Sequence, residues 1–305
     1  MRVLFLFLDG VGLGDADPLH NAFAAAHLPV LTGFTRGARW LRGLERSANG
    51  RGTFIPTDAC LGVSGRPQSA TGQATIMTGL NVPHIIGRHY GPKPNPVIAG
   101  IIARGSIIKM MAEHGLSVGF VNAFPPDFFK AINRGRRLLS SNQLALDVAG
   151  VNLPGVEEIV SGQAMSADFT GQGWRSDLGF VDTPVMTPQE AGRKLATLAQ
   201  AFDFTFFDHW VTDYVGHRGT LQDATYRLEV LDGVVAGLLE AWDDSQGLIV
   251  MTSDHGNIED LGRRGHTTNL VPTLVIGSGH AAFAEGLTSL VDLAPRVLTA
   301  FGITQ

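Results

Sequence analysis

Two apolar runs set the terms on which this chain can fold. Val3-Leu-Phe-Leu-Phe-Leu8 has no polar residue at any position and stops at Asp9; Leu248-Ile-Val-Met251, near the other end, passes through Thr252 and Ser253 and stops at Asp254-His255-Gly256-Asn257. A strand with one wet face alternates apolar and polar residues, so an unbroken run belongs to a strand covered on both faces. An open α/β sheet made of such strands gathers its chemistry in the crevice beyond their carboxyl ends. Asp9, Asp254 and His255 are therefore the first candidates for a site. Asp254 and His255 are neighbours and would point to opposite faces of a regular strand, so the strand has to end before them if both serve one site. Gly256 is the residue expected to allow that.

Ser117–Asn122, Phe204–Phe207 and Thr273–Ile276 read as further strands, and Ser106–His114 and Ala224–Trp242 as helices. Thr187-Pro-Gln-Glu190 is a capping box with proline at the first helical position, opening a helix to about Ala201. Ser69-Ala-Thr-Gly-Gln73 leads into Ala74–Thr78 with Gly79 as the stop, which puts Ser69 at or near a helix amino terminus. Strands alternating with helices imply an α/β protein with a doubly wound, mostly parallel sheet. From 127 to 185 the alternation lapses, glycine and proline recur, and Arg134, Arg136 and Arg137 cluster. That segment is expected as a small inserted cap, with 1–126 and 186–305 forming the core. Arg36–Thr53 gives no clear pattern.

A chain of 305 residues, 44% of them hydrophobic, can bury a large core. Its net charge of −5 gives no general attraction to nucleic acid or to an anionic membrane. Val3–Leu8 is too short to span a bilayer and Asp9 follows at once, so the start reads as a strand rather than a signal segment, and a cytoplasmic location is the expectation. The single cysteine, Cys60, excludes an internal disulfide and reads as a packed thiol rather than a nucleophile. Gly10-Val-Gly12-Leu-Gly14 suggests a dinucleotide loop, but Asp15 stands where that fingerprint needs Gly or Ala, and no helix clearly opens there. Asp9 suits a metal ligand better.

Asp213 and His217 are four residues apart, so one helical turn or a compact loop can aim both at one cation; His266 lies in Gly265-His-Thr-Thr-Asn269. Taken singly, each of Asp9, Asp213, His217, Asp254, His255 and His266 is better explained as a cap, a surface group or a hydrogen-bonded residue. Ser69 or Thr71 can likewise be a helix cap. The six gain weight together, because five fall just past expected strand ends, where a doubly wound sheet brings distant loops into one crevice. Three carboxylates and three imidazoles are enough ligands for two divalent ions, with Ser69 at hand to bridge toward one of them.

In these segments, Leu8-Asp-Gly-Val-Gly12, Ser69-Ala-Thr-Gly-Gln73, Asp213-Tyr-Val-Gly-His217, Ser253-Asp-His-Gly-Asn257 and Gly265-His-Thr-Thr-Asn269, the chain resembles the alkaline phosphatase superfamily. Within it the likeness is to the metalloenzyme branch of cofactor-independent phosphoglycerate mutase and phosphopentomutase. The resemblance implies that Asp213, His217 and His266 hold one metal, that Asp9, Asp254 and His255 hold a second with Ser69, and that Ser69 is the nucleophile. A nearby cation lowers the pKa of a hydroxyl, and two ions clamp a phosphoryl group through an in-line displacement, so a phosphoserine is the implied intermediate. Carboxylate with imidazole suits manganese or zinc rather than calcium.

The expectation is thus a metal-dependent phosphatase or phosphomutase acting on a small phosphorylated metabolite. The small insertion favours a phosphomonoesterase, since a mutase has to keep water from its phosphoserine. A phosphodiesterase or sulfatase on the same fold, or a nucleotide- or metal-binding protein without turnover, are the rivals; Ser69-Ala-Thr-Gly-Gln73 lacks the Pro and Arg of a sulfatase signature. Arg88, His89, Lys93, Arg134, Arg136 and Arg137 could grip a substrate anion or simply be solvated surface. Substrate identity and oligomeric state are not written in the residues.

Overall fold

The computed structural model describes residues 1–303. Its strands are β1 (Arg2–Leu8), β2 (Ser47–Ala48), β3 (Gly52–Thr57), β4 (Val118–Phe120), β5 (Phe204–His209), β6 (Gly247–Ser253) and β7 (Val271–Ile276). They form one sheet in the order β2-β3-β7-β6-β1-β5-β4. β1 is parallel to both β5 and β6, and β4 is parallel to β5. β7 lies antiparallel between β6 and β3, and β2 antiparallel to β3. The doubly wound, mostly parallel α/β sheet expected from the sequence is the architecture found.

β1 is unbroken by polar residues because both its faces are buried. Leu4, Leu6 and Leu8 face a core with Leu195, Leu228, Leu231 and Val235, whereas Phe5 and Phe7 face a second core with Ala74, Ile101, Met111 and Val297. The two cores are lined by helices α1 (Ser69–Thr78), α2 (Pro96–Arg104), α3 (Ile107–Glu113), α4 (Pro126–Asn133), α5 (Ser141–Val148), α6 (Pro188–Ala199), α7 (Val211–Arg218), α8 (Leu221–Ala241) and α9 (Leu293–Ala300). α6 opens on the Thr187/Glu190 capping box and α8 on Thr220/Asp223. The stretch 36–53 that gave no pattern contains β2 and the start of β3. β3 carries Pro56, which costs a ladder hydrogen bond in a central strand; β2 pairs only with Thr53 and Phe54, so at Pro56 β3 is the sheet edge.

α6 and α8 pack closely through two glycines. A Cβ built on Gly237 would lie 2.0 Å from the Gln189 carbonyl oxygen, and one on Gly192 the same distance from that of Val234. Backbone cannot yield as a side chain can, so Gly237→Ala is expected to cost about 1–3 kcal/mol of stability as overpacking. Thermal unfolding followed by circular dichroism reads this as a lowered midpoint; an unchanged one means the helices part without cost.

Residues 127–185 hold most of α4, all of α5 and two short helices, Val156–Val160 and Gln172–Ser176. α5 packs on α1, α2 and α3, with Ala145 and Leu146 in the second core. Ser141 Oγ donates to the Ala70 carbonyl at 2.8 Å, beside the start of α1. Met165 pairs with Val121 past the end of β4, and Phe169 stacks on Phe207 at 4.9 Å. No helix among the described residues is long and apolar enough to cross a membrane.

Candidate metal centre

The sheet register delivers the candidate residues to one edge. Leu8 lies opposite His209 on one side and Ser253 on the other, so the chain leaves β1, β5 and β6 at the same level. Asp9 follows β1 directly, Asp254 and His255 follow β6, and α7, which carries Asp213 and His217, follows β5. His266 comes before β7, but β7 runs the other way, so its amino end meets the same edge. Ser69 arrives from the side as the first residue of α1.

The side chains converge in two groups. Ligand atoms of Asp213, His217 and His266 lie within 4.8 Å of one another, and so do those of Asp9, Asp213 and His255. His217 Nε2 is 3.2 Å from His266 Nε2 and 3.4 Å from Asp213 Oδ2, while His266 Nε2 is 3.6 Å from Asp213 Oδ1. In the second group His255 Nε2 is 3.3 Å from Asp9 Oδ1, 3.6 Å from Asp254 Oδ2 and 3.0 Å from Ser69 Oγ. The His255 and His266 rings stack at 3.7 Å and join the two groups. Asp213 belongs to both triplets, and Asp254 reaches the second group through His255. All seven residues singled out in the sequence are brought together.

Ser69 does not cap its helix: its hydroxyl turns to His255 instead of a backbone amide. Thr71 Oγ1 donates to the Gln68 carbonyl at 3.0 Å, so it is not a cap either. The Thr71 and Gly72 amides are used on Tyr90 and Gln68, whereas those of Ser69 and Ala70 have no partner among the described residues and stay available to an anion. The strand does end before Asp254, but Gly256 is required for space rather than for an unusual backbone angle. A Cβ there would sit 2.1 Å from Glu259 Oε1 and 2.2 Å from Thr267 Oγ1. Gly10, at φ +70°, does supply the left-handed turn out of β1, and a Cβ on it would be 2.6 Å from Asp213 Oδ1.

The electrostatics ask for cations. Burial first, then the Asp254 and Asp213 carboxylates, hold the Asp9 pKa well above its ordinary range, and Asp254 is raised by burial and by Asp213. Asp9 Oδ1 and Asp254 Oδ2 are buried and have no hydrogen-bond partner among the described residues. Burial pushes His255 well below the usual imidazole value and lowers His266 as well. The Nδ1 of His266 faces the Pro67 carbonyl at 2.8 Å, and that of His255 faces the Gly256 carbonyl at 3.4 Å. A carbonyl only accepts, so the proton sits on Nδ1 and each Nε2 lone pair is turned inward. Orphaned carboxylate oxygens beside inward imidazole lone pairs are a donor set for divalent transition ions.

Four supporting residues escaped sequence reasoning. Glu259, 1% exposed, accepts from the Gly12 amide at 3.0 Å, the Asn257 amide at 2.7 Å and Asn269 Nδ2 at 3.0 Å, and also from Thr267 Oγ1. It thereby ties together the loops after β1 and β6 and the loop of His266. Asn257 Nδ2 donates to Asp213 Oδ1 at 2.6 Å, and Gln73 Nε2 to Asp9 Oδ2 at 3.3 Å. Asp208, at the end of β5, has a pKa pushed up to about 7 by burial, with Lys93 opposing the shift. The only signal in sequence was that Asn257 and Glu259 trail the Asp254-His255 pair. Among the cations left open, Lys93 is partly buried and favours ionisation of Asp9 and Asp208; Arg88 lies over Tyr90 at 5.5 Å and Arg137 over Phe128 at 4.9 Å. Cys60 is half-buried with its thiol pKa raised by burial, which fits an unreactive side chain.

Glu259→Leu is expected to cost roughly 3 kcal/mol or more, since it leaves three buried donors and the part-buried Asn269 amide without an acceptor; urea unfolding checks it, and a loss under about 1 kcal/mol would mean water replaces the carboxylate.

The family model described as the Metalloenzyme superfamily matches residues 1–305. The 2,3-bisphosphoglycerate-independent phosphoglycerate mutases of Methylobacillus flagellatus and Thiobacillus denitrificans are 33% and 32% identical over 131 residues, which is 40% of this chain and 25% of each relative. The match thus spans about a quarter of the length of those relatives. Among solved structures, a protein from Pyrococcus horikoshii superposes with a TM-score of 0.61 at 13% identity, covering 100% of this chain and 98% of that one. Alkaline phosphatase from the Antarctic bacterium TAB5 does so with a TM-score of 0.54 at 14% identity, covering 100% and 99%. At these identities the structural likeness is one of fold.

Proposed function

We propose, from the premise that this chain belongs to the metalloenzyme superfamily, that it is a two-metal phosphoryl-transfer enzyme working through a phosphoserine at Ser69. The observation that carries this reading is the 3.0 Å contact of Ser69 Oγ with His255 Nε2, inside a cluster of three carboxylates and three imidazoles. In it Asp213, His217 and His266 hold one divalent ion, and Asp9, Asp254, His255 and Ser69 hold the other, manganese or zinc by the nature of the donors. When bound, such ions supply positive charge that favours the ionised hydroxyl and offsets charge on the transferring phosphoryl group.

The chain's own residues do the rest. The free amides of Ser69 and Ala70 at the start of α1 orient an anionic phosphoryl group toward Oγ. Ser69 Oγ, having given its proton to solvent, attacks phosphorus in line; the ester P–O bond breaks, and the departing oxygen leaves with its electron pair and takes a proton from solvent. Water then attacks the phosphoserine, releasing inorganic phosphate and restoring the hydroxyl. Glu259 and Asn257 keep Asp213 in place through both steps. We take 127–185 as the insertion between core segments 1–126 and 186–305; its α5 joins the second core, and the small size of what remains to cover the site favours hydrolysis over transfer within one substrate. Likeness to the mutases supports the second acceptor, a hydroxyl of the same substrate.

The test is a chelator-stripped protein given Mn²⁺ or Zn²⁺ and assayed on phenyl phosphate and on 3-phosphoglycerate. Metal-dependent phosphate release supports the phosphomonoesterase, and isomerisation without release supports the mutase. Absence of both under every metal overturns phosphoryl transfer.

A further inference from the structure

α7 has two sides of opposite character. Val211, Thr212, Val215 and Gly216 are buried against the fold. The other face, at positions i, i+3, i+4, i+7 and i+8, is Trp210, Asp213, Tyr214, His217 and Arg218. Two of these residues point into the metal cluster, and the remaining three flank them on the open side. Trp210 is 43% and Tyr214 51% exposed, and their rings meet edge to face at 6.4 Å. The Arg218 guanidinium lies over the Tyr214 ring at 5.2 Å.

Two large rings, each about half exposed, lie on the same helical face as the candidate ligands, while α7 is anchored by its other side. Because the two ring planes stand at 87°, a flat ring can lie on one of them and meet the other edge-on, a stacking contact of about 1–3 kcal/mol. The phosphoryl end of such a ligand is fixed by charge at the cluster, so the platform meets only what phosphorus carries. Arg218, over the Tyr214 ring, adds positive charge beside the place of an anionic ester.

We propose that Trp210 and Tyr214 form the leaving-group subsite and that the substrate is a phosphate monoester of a planar ring, an aryl or nucleoside monophosphate. This rests on the phosphoryl-transfer reading above and specifies its substrate class. The probes are phosphonates, whose C–P bond is not hydrolysed: methylphosphonate, phenylphosphonate, and the phosphonate analogue of adenosine monophosphate. Each is titrated calorimetrically into the Mn²⁺-loaded protein.

Ring-bearing probes are expected to bind about ten-fold tighter than methylphosphonate, a gain within the range of a single stacking contact. Gain by both ring probes points to aryl esters generally, and gain by the adenosine probe alone to nucleotides. The W210A/Y214A variant should lose the preference and the W210F/Y214F variant keep most of it. Equal affinities in the unsubstituted protein, or a preference that survives in W210A/Y214A, overturn the subsite while leaving phosphoryl transfer intact. Failure to bind any phosphonate counts against the phosphoryl-transfer reading itself and removes this inference with it.

Discussion

Ser69→Ala is expected to lower the rate of phosphate release by roughly three to six orders of magnitude, the range seen when a covalent nucleophile is removed. The protein should stay folded, because the Ser69 hydroxyl caps nothing and its one side-chain contact is with His255. Acid-quenching the unsubstituted enzyme during turnover of ³²P-labelled substrate should leave label on the peptide containing Ser69, and none in the variant. Ser69→Thr keeps the hydroxyl and should keep part of the rate. Retention of most activity in the alanine variant would transfer the nucleophile's role to water, leaving the metal cluster but not the phosphoserine.

The second large effect is a change of sign. Asp254 sits in the metal-free fold as a buried acid facing Asp9 and Asp213, with one oxygen unpartnered among the described residues. Asp254→Asn preserves its shape and removes a group that must take up a proton or bury a charge on folding, so the metal-free protein should become more stable. The unsubstituted protein should gain about 4 kcal/mol when Mn²⁺ reaches a thousand times its dissociation constant, and the variant much less. Calorimetric melting with chelator and with Mn²⁺ measures both; a variant less stable than its parent in chelator would mean that Asp254 is held by contacts and not strained by charge.

The pH dependence follows from the same groups. Asp9 and Asp254 keep their protons in the folded chain at pH values where the unfolded chain has lost them. They therefore favour the metal-free fold at low pH, and that contribution is lost as pH rises through the folded values. His255 and His266 act oppositely, since the folded chain refuses protons that the unfolded chain takes up, but only below the ordinary imidazole value of 6.5. The raised carboxylates thus make metal-free stability fall as pH rises out of the ordinary carboxylate range, less steeply in Asp254→Asn. With Mn²⁺ bound the carboxylates are ionised throughout and this slope should vanish.

How much of this was legible depended on whether the signal was local. β1 and β6 could be read because a strand buried on both faces has to be apolar at every position, and the polar residues just past it have to lie at the sheet edge. α6 and α8 were readable from a capping box and from helical spacing. β2 and β3 were not, because two residues and a proline-bearing edge strand carry almost no periodicity. Gly256 could be seen to matter but not why: its constraint comes from Glu259 and Thr267, which only the fold brings against it.

By itself the sequence determined that a mostly parallel sheet with polar strand ends would form, and it named the seven side chains that the fold assembles, because burial and residue chemistry are carried by the residues themselves. The tertiary structure alone decided that Asp213 takes part in both groups of ligand atoms, that Ser69 faces His255 rather than its own helix, and that one buried carboxylate, Glu259, ties three loops together. These are distances between residues far apart in the chain, set by register and packing, and no local pattern encodes them.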